Sequence, residues 1–331
     1  MSASGVAYSV FSDIASEPDL TIIDGGRKAL GEHDADAIIA LGGGAVMDSC
    51  KMIAAGGRLK RRSSKSLLRK FLFVPGKTLP IIAVPSTAGT GAESTVGAVV
   101  TDGRGQKLAS VVVGLDVKAV VLDSELTLKA PRGITCACGI DALSHGLEGV
   151  VSSTRVSDDD MKKSMECVKL VLENLPVLIR EPDNVAARQN MCLAANLGGN
   201  AINKQLAGYV HAVAHSIGAA YHIPHGNAIA LSLMPIMELQ RDKCLAPLAA
   251  LSRYCGISDA ADGDDVACDK LLGEINALIA ACCFESRAGF IAREDYKSLA
   301  RAISLDSINY SPRIVMSDRQ IYDVLDKING K

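Results

Sequence analysis

One stretch near the N-terminus restricts the fold more than any other: Ala37-Ile38-Ile39-Ala40-Leu41, then Gly42-Gly43-Gly44, then Ala45-Val46-Met47-Asp48-Ser49-Cys50-Lys51. A short apolar run that enters three glycines and leaves on a helical pattern reads as a buried strand, a tight turn and a helix start. Such a unit belongs to a parallel sheet, because parallel strands need a crossover that usually contains a helix. A second apolar run, Leu79 to Val84, enters Pro85-Ser86-Thr87-Ala88-Gly89-Thr90-Gly91, and a third, Ala119 to Leu122, ends at Asp123. This rhythm predicts an α/β region. Beyond about residue 134 the strand-like runs fade, and apolar residues recur three and four apart, as in Met161 to Leu175 and Leu271 to Cys282. With 331 residues the chain exceeds the usual single-domain size. The expectation is an α/β nucleotide-binding domain over residues 1–129 and an all-α domain over 130–331.

Bulk properties narrow the function. A net charge of −2 gives no general attraction to nucleic acid or anionic membrane. Arg58, Lys60, Arg61, Arg62, Lys65, Arg69 and Lys70 cluster with few aromatic residues and read as a solvated connection or helix face. Hydrophobic residues make up 48% of the chain, yet no apolar run reaches membrane-spanning length. The first thirty residues show no signal-peptide pattern, so a cytoplasmic setting is expected. The ten cysteines lie scattered in apolar or helical stretches without zinc-finger spacing, and are expected to be reduced.

The glycine turns suit phosphate. Glycine lets the backbone approach a pyrophosphate, and the helix that follows presents unpaired N–H groups and the positive end of its dipole. The first turn matches neither a GxGxxG nor a P-loop pattern, and alone it is also what an ordinary βα turn looks like. Two such turns at the C-terminal ends of parallel strands are where open α/β sheets bind ligands, and the hydroxyls of the second add donors for phosphate or ribose.

Four of the six histidines, His211, His215, His222 and His225, fall within Tyr209 to Gly226. His211 and His215 share a helix face, while Gly218 and Pro224 allow the chain to turn and bring His225 back. Upstream, Gly139 to Glu148 places Asp141 and His145 one helical turn apart. A lone histidine here reads as a core residue, and Asp141 with His145 alone reads as a local hydrogen bond. Together, one carboxylate and two or three imidazoles suit Fe²⁺ or Zn²⁺. Spacing leaves open whether His211 and His215 both bind metal or one stays free to carry a proton.

These motifs resemble the iron-containing, or group III, alcohol dehydrogenases. Gly42 to Asp48 is similar to the family's GGGSxxD turn, Pro85 to Gly91 to its PTTxGTG turn, Gly139 to His145 to its GxDALxH helix, and His211 to Gly226 to its HxxxH and PHG signature. The resemblance implies a Rossmann-like nucleotide domain and a helical metal domain. It implies metal ligation by Asp141, His145, His211 and His225, with His215 unligated as a proton relay. It also implies contacts of NAD or NADP with Gly43, Gly44, Ala45, Asp48, Ser86, Thr87, Thr90 and Lys107. Ala45 stands where the family usually has serine, a lost hydroxyl donor worth about 1 kcal/mol.

Relatives carry roughly fifty more residues ahead of the glycine turn, which supply a strand and helix of the nucleotide fold and the acidic residue that tells NAD from NADP. By this resemblance the nucleotide fold is partly truncated. The implied activity is hydride transfer between NAD(P) and a small alcohol or aldehyde, in a homodimer with neither nucleic acid nor membrane as partner. A sugar-phosphate cyclase-like lyase and a shortened non-catalytic homologue acting as a binding partner are the alternatives.

Overall fold

In the computed structural model, residues 5–14, 18–59, 63–68, 71–102, 107–284 and 289–330 are described. The chain forms two compact units: Met1–Thr87 with Ala92–Leu126, and Ala88–Gly91 with Thr127–Lys331.

The first unit is built around one helix. After α1 (Leu20–Glu32), strand β1 (Ile38–Gly42) leads through Gly43 into α2 (Gly44–Arg58), as the glycine turn predicts. β1 pairs in parallel with β3 (Ile81–Pro85), which pairs in parallel with β6 (Val117–Val120), giving the order β1-β3-β6. A second sheet, order β2-β5-β4, joins Phe71–Phe73, Lys107–Val113 and Gly97–Thr101, with β4 and β5 antiparallel. Two clusters form the core. Met47, Cys50 and Ala54 of α2 pack with Ala40, Ile81 and Ala83 of the first sheet, whereas Met52 and Ala55 pack with Leu72, Ala98, Val100 and Val112 of the second. α2 therefore buries two faces, which is why apolar residues cover most of its circumference.

Of the basic cluster, Lys60, Arg61, Arg62, Arg69 and Lys70 lie outside the described residues. Arg58 Nε donates to the Lys77 carbonyl at 3.0 Å, and Lys65 is exposed in the short α3 (Ser64–Leu67).

Among its described residues the long elements of the second unit are all helices: α4 (Arg132–Val151), α5 (Asp158–Arg180), α6 (Val185–Gln205), α7 (Tyr209–Tyr221), α8 (His225–Gln240), α9 (Leu245–Tyr254), α10 (Asp264–Cys282), α11 (Tyr296–Ser307) and α12 (Asp318–Ile328). α4 is apolar nearly all round, and every residue from Gly139 to Val151 is buried. A helix of that composition belongs at the centre of a bundle, and α5, α6 and α8 surround it. All ten cysteines are free thiols, as expected, and no described helix is long and apolar enough to cross a membrane.

Candidate metal centre

α4 carries Asp141 and His145 on successive turns, both buried, with Oδ1 of the aspartate 3.6 Å from Nε2 of the histidine. α7 carries His211 and His215 on one face, and His225 opens α8. The return between α7 and α8 is made at His222, which closes α7 in the left-handed conformation (φ 53°, ψ 40°). Gly218, expected to turn the chain, instead lies inside α7 and accepts from the Ile223 amide at 3.2 Å. Pro224 then caps α8. Gly226 permits the close seat of His225 on α4, since a Cβ there would sit 2.6 Å from the Ala137 carbonyl. His222 itself is exposed.

Three imidazoles converge on one carboxylate oxygen. Asp141 Oδ1 lies 3.3 Å from His225 Nε2, 3.6 Å from His145 Nε2 and 3.7 Å from His211 Nε2. Neither Asp141 Oδ1 nor His211 Nε2 has a hydrogen-bond partner, and both are buried, as is the unpartnered Nδ1 of His145. Orphaned buried polar atoms cost about 1–3 kcal/mol each, so a group that satisfies several at once is implied. Metal bonds of about 2.0–2.2 Å set tetrahedral ligand atoms roughly 3.3–3.6 Å apart. The spacing around Asp141 matches those edges rather than hydrogen bonds. The ligand atoms of Asp141, His211 and His225 all lie within 4.8 Å of one another. His145 stands outside that mutual set, beside Asp141 and stacked on His211 with ring centroids 4.7 Å apart.

Electrostatics favour a cation here. Burial pushes the Asp141 carboxyl up, but His145, His225 and His211 outweigh it and hold the group well below the usual carboxylate range. Burial likewise disfavours charge on His211, yet Glu148 and Asp141 hold that ring up to about 10. For His145, burial together with the neighbouring His211 and His225 outweighs the pull of Asp141 and Glu148, and the ring falls to about 4. Two buried carboxylates thus draw a proton onto His211 where a metal would otherwise supply the positive charge. The donor set, its spacing and its charge fit Fe²⁺ or Zn²⁺.

Glu148 is a participant that spacing alone does not single out. It is buried one further turn along α4; its Oε2 accepts from His211 Nδ1 at 2.6 Å and its Oε1 from the Val210 amide at 2.7 Å. A carboxylate behind an imidazole fixes the tautomer and aims the other nitrogen at a metal. The available signal was the seven-residue step from Asp141 to Glu148, two helical turns on one face. Asp306 and Tyr310 have no such local signal: Asp306 Oδ2 lies 3.0 Å from His215 Nδ1, and Tyr310 reaches both.

The residues expected to meet a nucleotide are placed as follows. In the first unit, Gly43 is the N-cap of α2 and offers no side-chain hydrogen bond to the helix, so the first-turn amides at Gly44 and Ala45 receive no side-chain cap. Thr87 packs on Gly43, where a Cβ would lie 3.3 Å from its methyl group. Ser86 donates its amide to the Gly42 carbonyl at 2.9 Å. Asp48 uses both carboxylate oxygens internally, one on buried Lys51 at 3.1 Å and one on the Val99 amide at 2.9 Å. Thr90 belongs to the second unit. Lys107 opens β5 opposite Thr101, and its side chain lies outside what is described.

Two family descriptions match this chain, iron-containing alcohol dehydrogenase over residues 1–124 and the C-terminal domain of the iron-containing alcohol dehydrogenase family over residues 135–328. The fold and the histidine-aspartate site define the same class, and the chain belongs to the iron-containing alcohol dehydrogenase family. It is 32% identical over 286 residues to the probable alcohol dehydrogenase EutG of Escherichia coli, which spans 83% of this chain and 69% of that protein. It is 31% identical to the 1-propanol dehydrogenase PduQ of Salmonella typhimurium, across 85% of this chain and 72% of the relative. Among solved structures, sulfoacetaldehyde reductase from Bifidobacterium kashiwanohense in complex with NAD⁺ superposes with a TM-score of 0.87 at 27% identity, covering 97% of this chain and 83% of that one.

Proposed function

We propose that this chain is a metal-dependent alcohol dehydrogenase and aldehyde reductase, moving a hydride between NAD or NADP and a small alcohol or aldehyde. Asp141, His145, His211 and His225 hold Fe²⁺ or Zn²⁺. The observation that carries the reading is the buried, unpartnered Asp141 Oδ1 with three imidazole nitrogens 3.3–3.7 Å away. When bound, the metal supplies Lewis acidity toward the substrate oxygen. Glu148 orients His211 through Nδ1. His215, whose side chain is 43% exposed, stands beside His225 and carries the substrate hydroxyl's proton toward solvent.

For the cofactor, the N-cap amide of Gly43 and the first-turn amides of α2 at Gly44 and Ala45 receive the pyrophosphate, and Ser86, Thr87, Thr90 and Lys107 supply further donors. Asp48 acts from behind by bracing α2 through Lys51. The NAD⁺ bound to the Bifidobacterium relative supports a nicotinamide partner, and the alcohol dehydrogenase names of the bacterial relatives support the substrate class. A homodimer is part of the same proposal. Phe71, Phe73, Val99 and Val113 expose an apolar sheet face of a kind that partners commonly cover, and sedimentation equilibrium measures the assembly.

The deciding assay loads the purified protein with Fe²⁺ or Zn²⁺, adds NADH or NADPH with short aldehydes, and follows loss of the nicotinamide absorbance. Turnover is expected; its absence with both cofactors despite bound metal refutes the reading. His225→Ala is expected to lose metal and turnover together, and full activity in a metal-free variant would remove His225 from the ligand set.

A further inference from the structure

As Glu148 stands behind His211, so a second carboxylate stands behind His215. Its Nδ1 lies 3.0 Å from Asp306 Oδ2, on the last turn of α11, and Tyr310 Oη lies 3.1 Å from the same oxygen and 3.2 Å from Nδ1. An ionised carboxylate only accepts hydrogen bonds. The shared proton therefore belongs to Nδ1, and the Tyr310 hydroxyl, facing an Nδ1 already protonated, donates to Asp306. Nε2 is left as the nitrogen with a free lone pair, on a ring whose centroid is 5.3 Å from that of His225 and 5.8 Å from that of His211.

We infer that Asp306 and Tyr310 are positioning residues of the proton-transfer step: they lock His215 in its Nδ1–H tautomer, so that Nε2 faces the reaction as a base. The inference rests on the alcohol dehydrogenase reading above. In the oxidation direction the substrate O–H bond breaks and its proton forms an N–H bond at Nε2. The carbon's hydrogen leaves with its electron pair to the oxidised nicotinamide, and a C=O bond remains. The resulting imidazolium is stabilised by the Asp306 carboxylate and gives its proton to water at the exposed edge of the ring. In the reduction direction every transfer is reversed.

Nothing local to α7 creates this arrangement. α11 packs on α7, and the chain leaves that helix in a tight turn whose Tyr310 amide donates to the Ser307 carbonyl at 3.0 Å. That turn brings the phenol back over the carboxylate four residues earlier. The same logic operates wherever a carboxylate holds a catalytic imidazole by Nδ1; substitution of the carboxylate by an amide presents an N–H to that nitrogen and selects the wrong tautomer.

The test combines spectroscopy and kinetics. On zinc-loaded, ¹⁵N-histidine-labelled protein, the ring nitrogens of His215 are expected to report Nδ1–H in the wild type and Nε2–H in Asp306→Asn. That variant should lose about 100-fold or more in kcat, by analogy with the buried dyads where the loss is larger, with metal content and cofactor KM unchanged. Asp306→Glu should recover part of the rate, and Tyr310→Phe should cost about tenfold or less with the tautomer preserved. In a His215→Ala background, Asp306→Asn should add no further loss, because two residues acting through one group are not additive. An Nε2–H ring in the wild type, wild-type kcat in Asp306→Asn, or a full additional loss in the His215→Ala background would each overturn the inference. A wild-type protein inactive with both cofactors would refute the proposed function, and the ring nitrogens would still decide the tautomer claim.

Discussion

Glu148 shows how one buried side chain supports a site it does not touch. Both of its oxygens are engaged, on the His211 ring and the Val210 amide, so it fixes the ring's direction and the helix start that carries it. Glu148→Gln keeps the shape but weakens the acceptor. Metal affinity should fall about 10–100-fold, read as metal retained after dialysis against graded chelator. Lys51 plays the corresponding part in the first unit. Its side chain is 3% exposed, and its ammonium bridges Asp48 on its own helix to Thr95 Oγ1 and the Gly97 carbonyl. Removing one partner of a buried pair leaves the other charge uncompensated, a loss of about 3–5 kcal/mol. Asp48 retains some exposure, so Lys51→Met is expected at the lower end, measured as the midpoint shift in urea.

At the level of elements, close approaches made possible by glycine set the geometry. The tip of the second glycine turn lies on α6: a Cβ on Gly199 would be 2.2 Å from the Gly91 carbonyl oxygen, and Gly91 itself has φ +58°. Gly199→Ala must push backbone against backbone, since no flexible side chain can yield. It is expected to cost about 1–3 kcal/mol and to raise the KM for the nicotinamide cofactor, because the turn carries Thr90. A melting temperature and a cofactor titration on the same preparation check both. Sequence patterns located β1, β3, β6, α2 and the core stretches of α5 and α10, because each carries its own apolar period. Strands β2, β4 and β5 lay outside that expectation. For β4 and β5 a signal exists, two valine-rich runs flanking Asp102-Gly103; for the three residues of β2, pairing with the distant β5 decides the conformation.

At the level of the whole molecule, metal binding and folding are linked. A ligand that binds only the folded chain stabilises it by about 4 kcal/mol at a thousandfold excess over Kd. Stripping the metal with chelator should lower the melting temperature of the wild type, with recovery on adding Fe²⁺ or Zn²⁺. Equal melting with and without metal would show that Asp141, His211 and His225 are satisfied without it. The expectation extends to His225→Ala, whose melting should no longer respond to either ion. Because the proposed ligands come from three helices of the second unit, α4, α7 and α8, the gain reports the packing of that unit.

The residues themselves determined the parallel strand-turn-helix rhythm, the change to helices beyond it, and the crowding of histidines four apart near a second helix carrying Asp141 and His145. Periodicity and spacing are properties of neighbours in the chain, and they survive any reading that ignores the rest of the molecule. Which groups meet was decided by tertiary structure. His222 turned out to form the bend, Asp48 to be engaged by Lys51 and Val99, and His145 to stand beside the mutual Asp141–His211–His225 set. Glu148 and Asp306 became visible as the partners of His211 and His215. Asp306 lies 91 residues from His215, and only the packing of α11 on α7 brings them within a hydrogen bond. A carboxylate 3.0 Å from a ring nitrogen changes what that ring can do, and no local pattern records it.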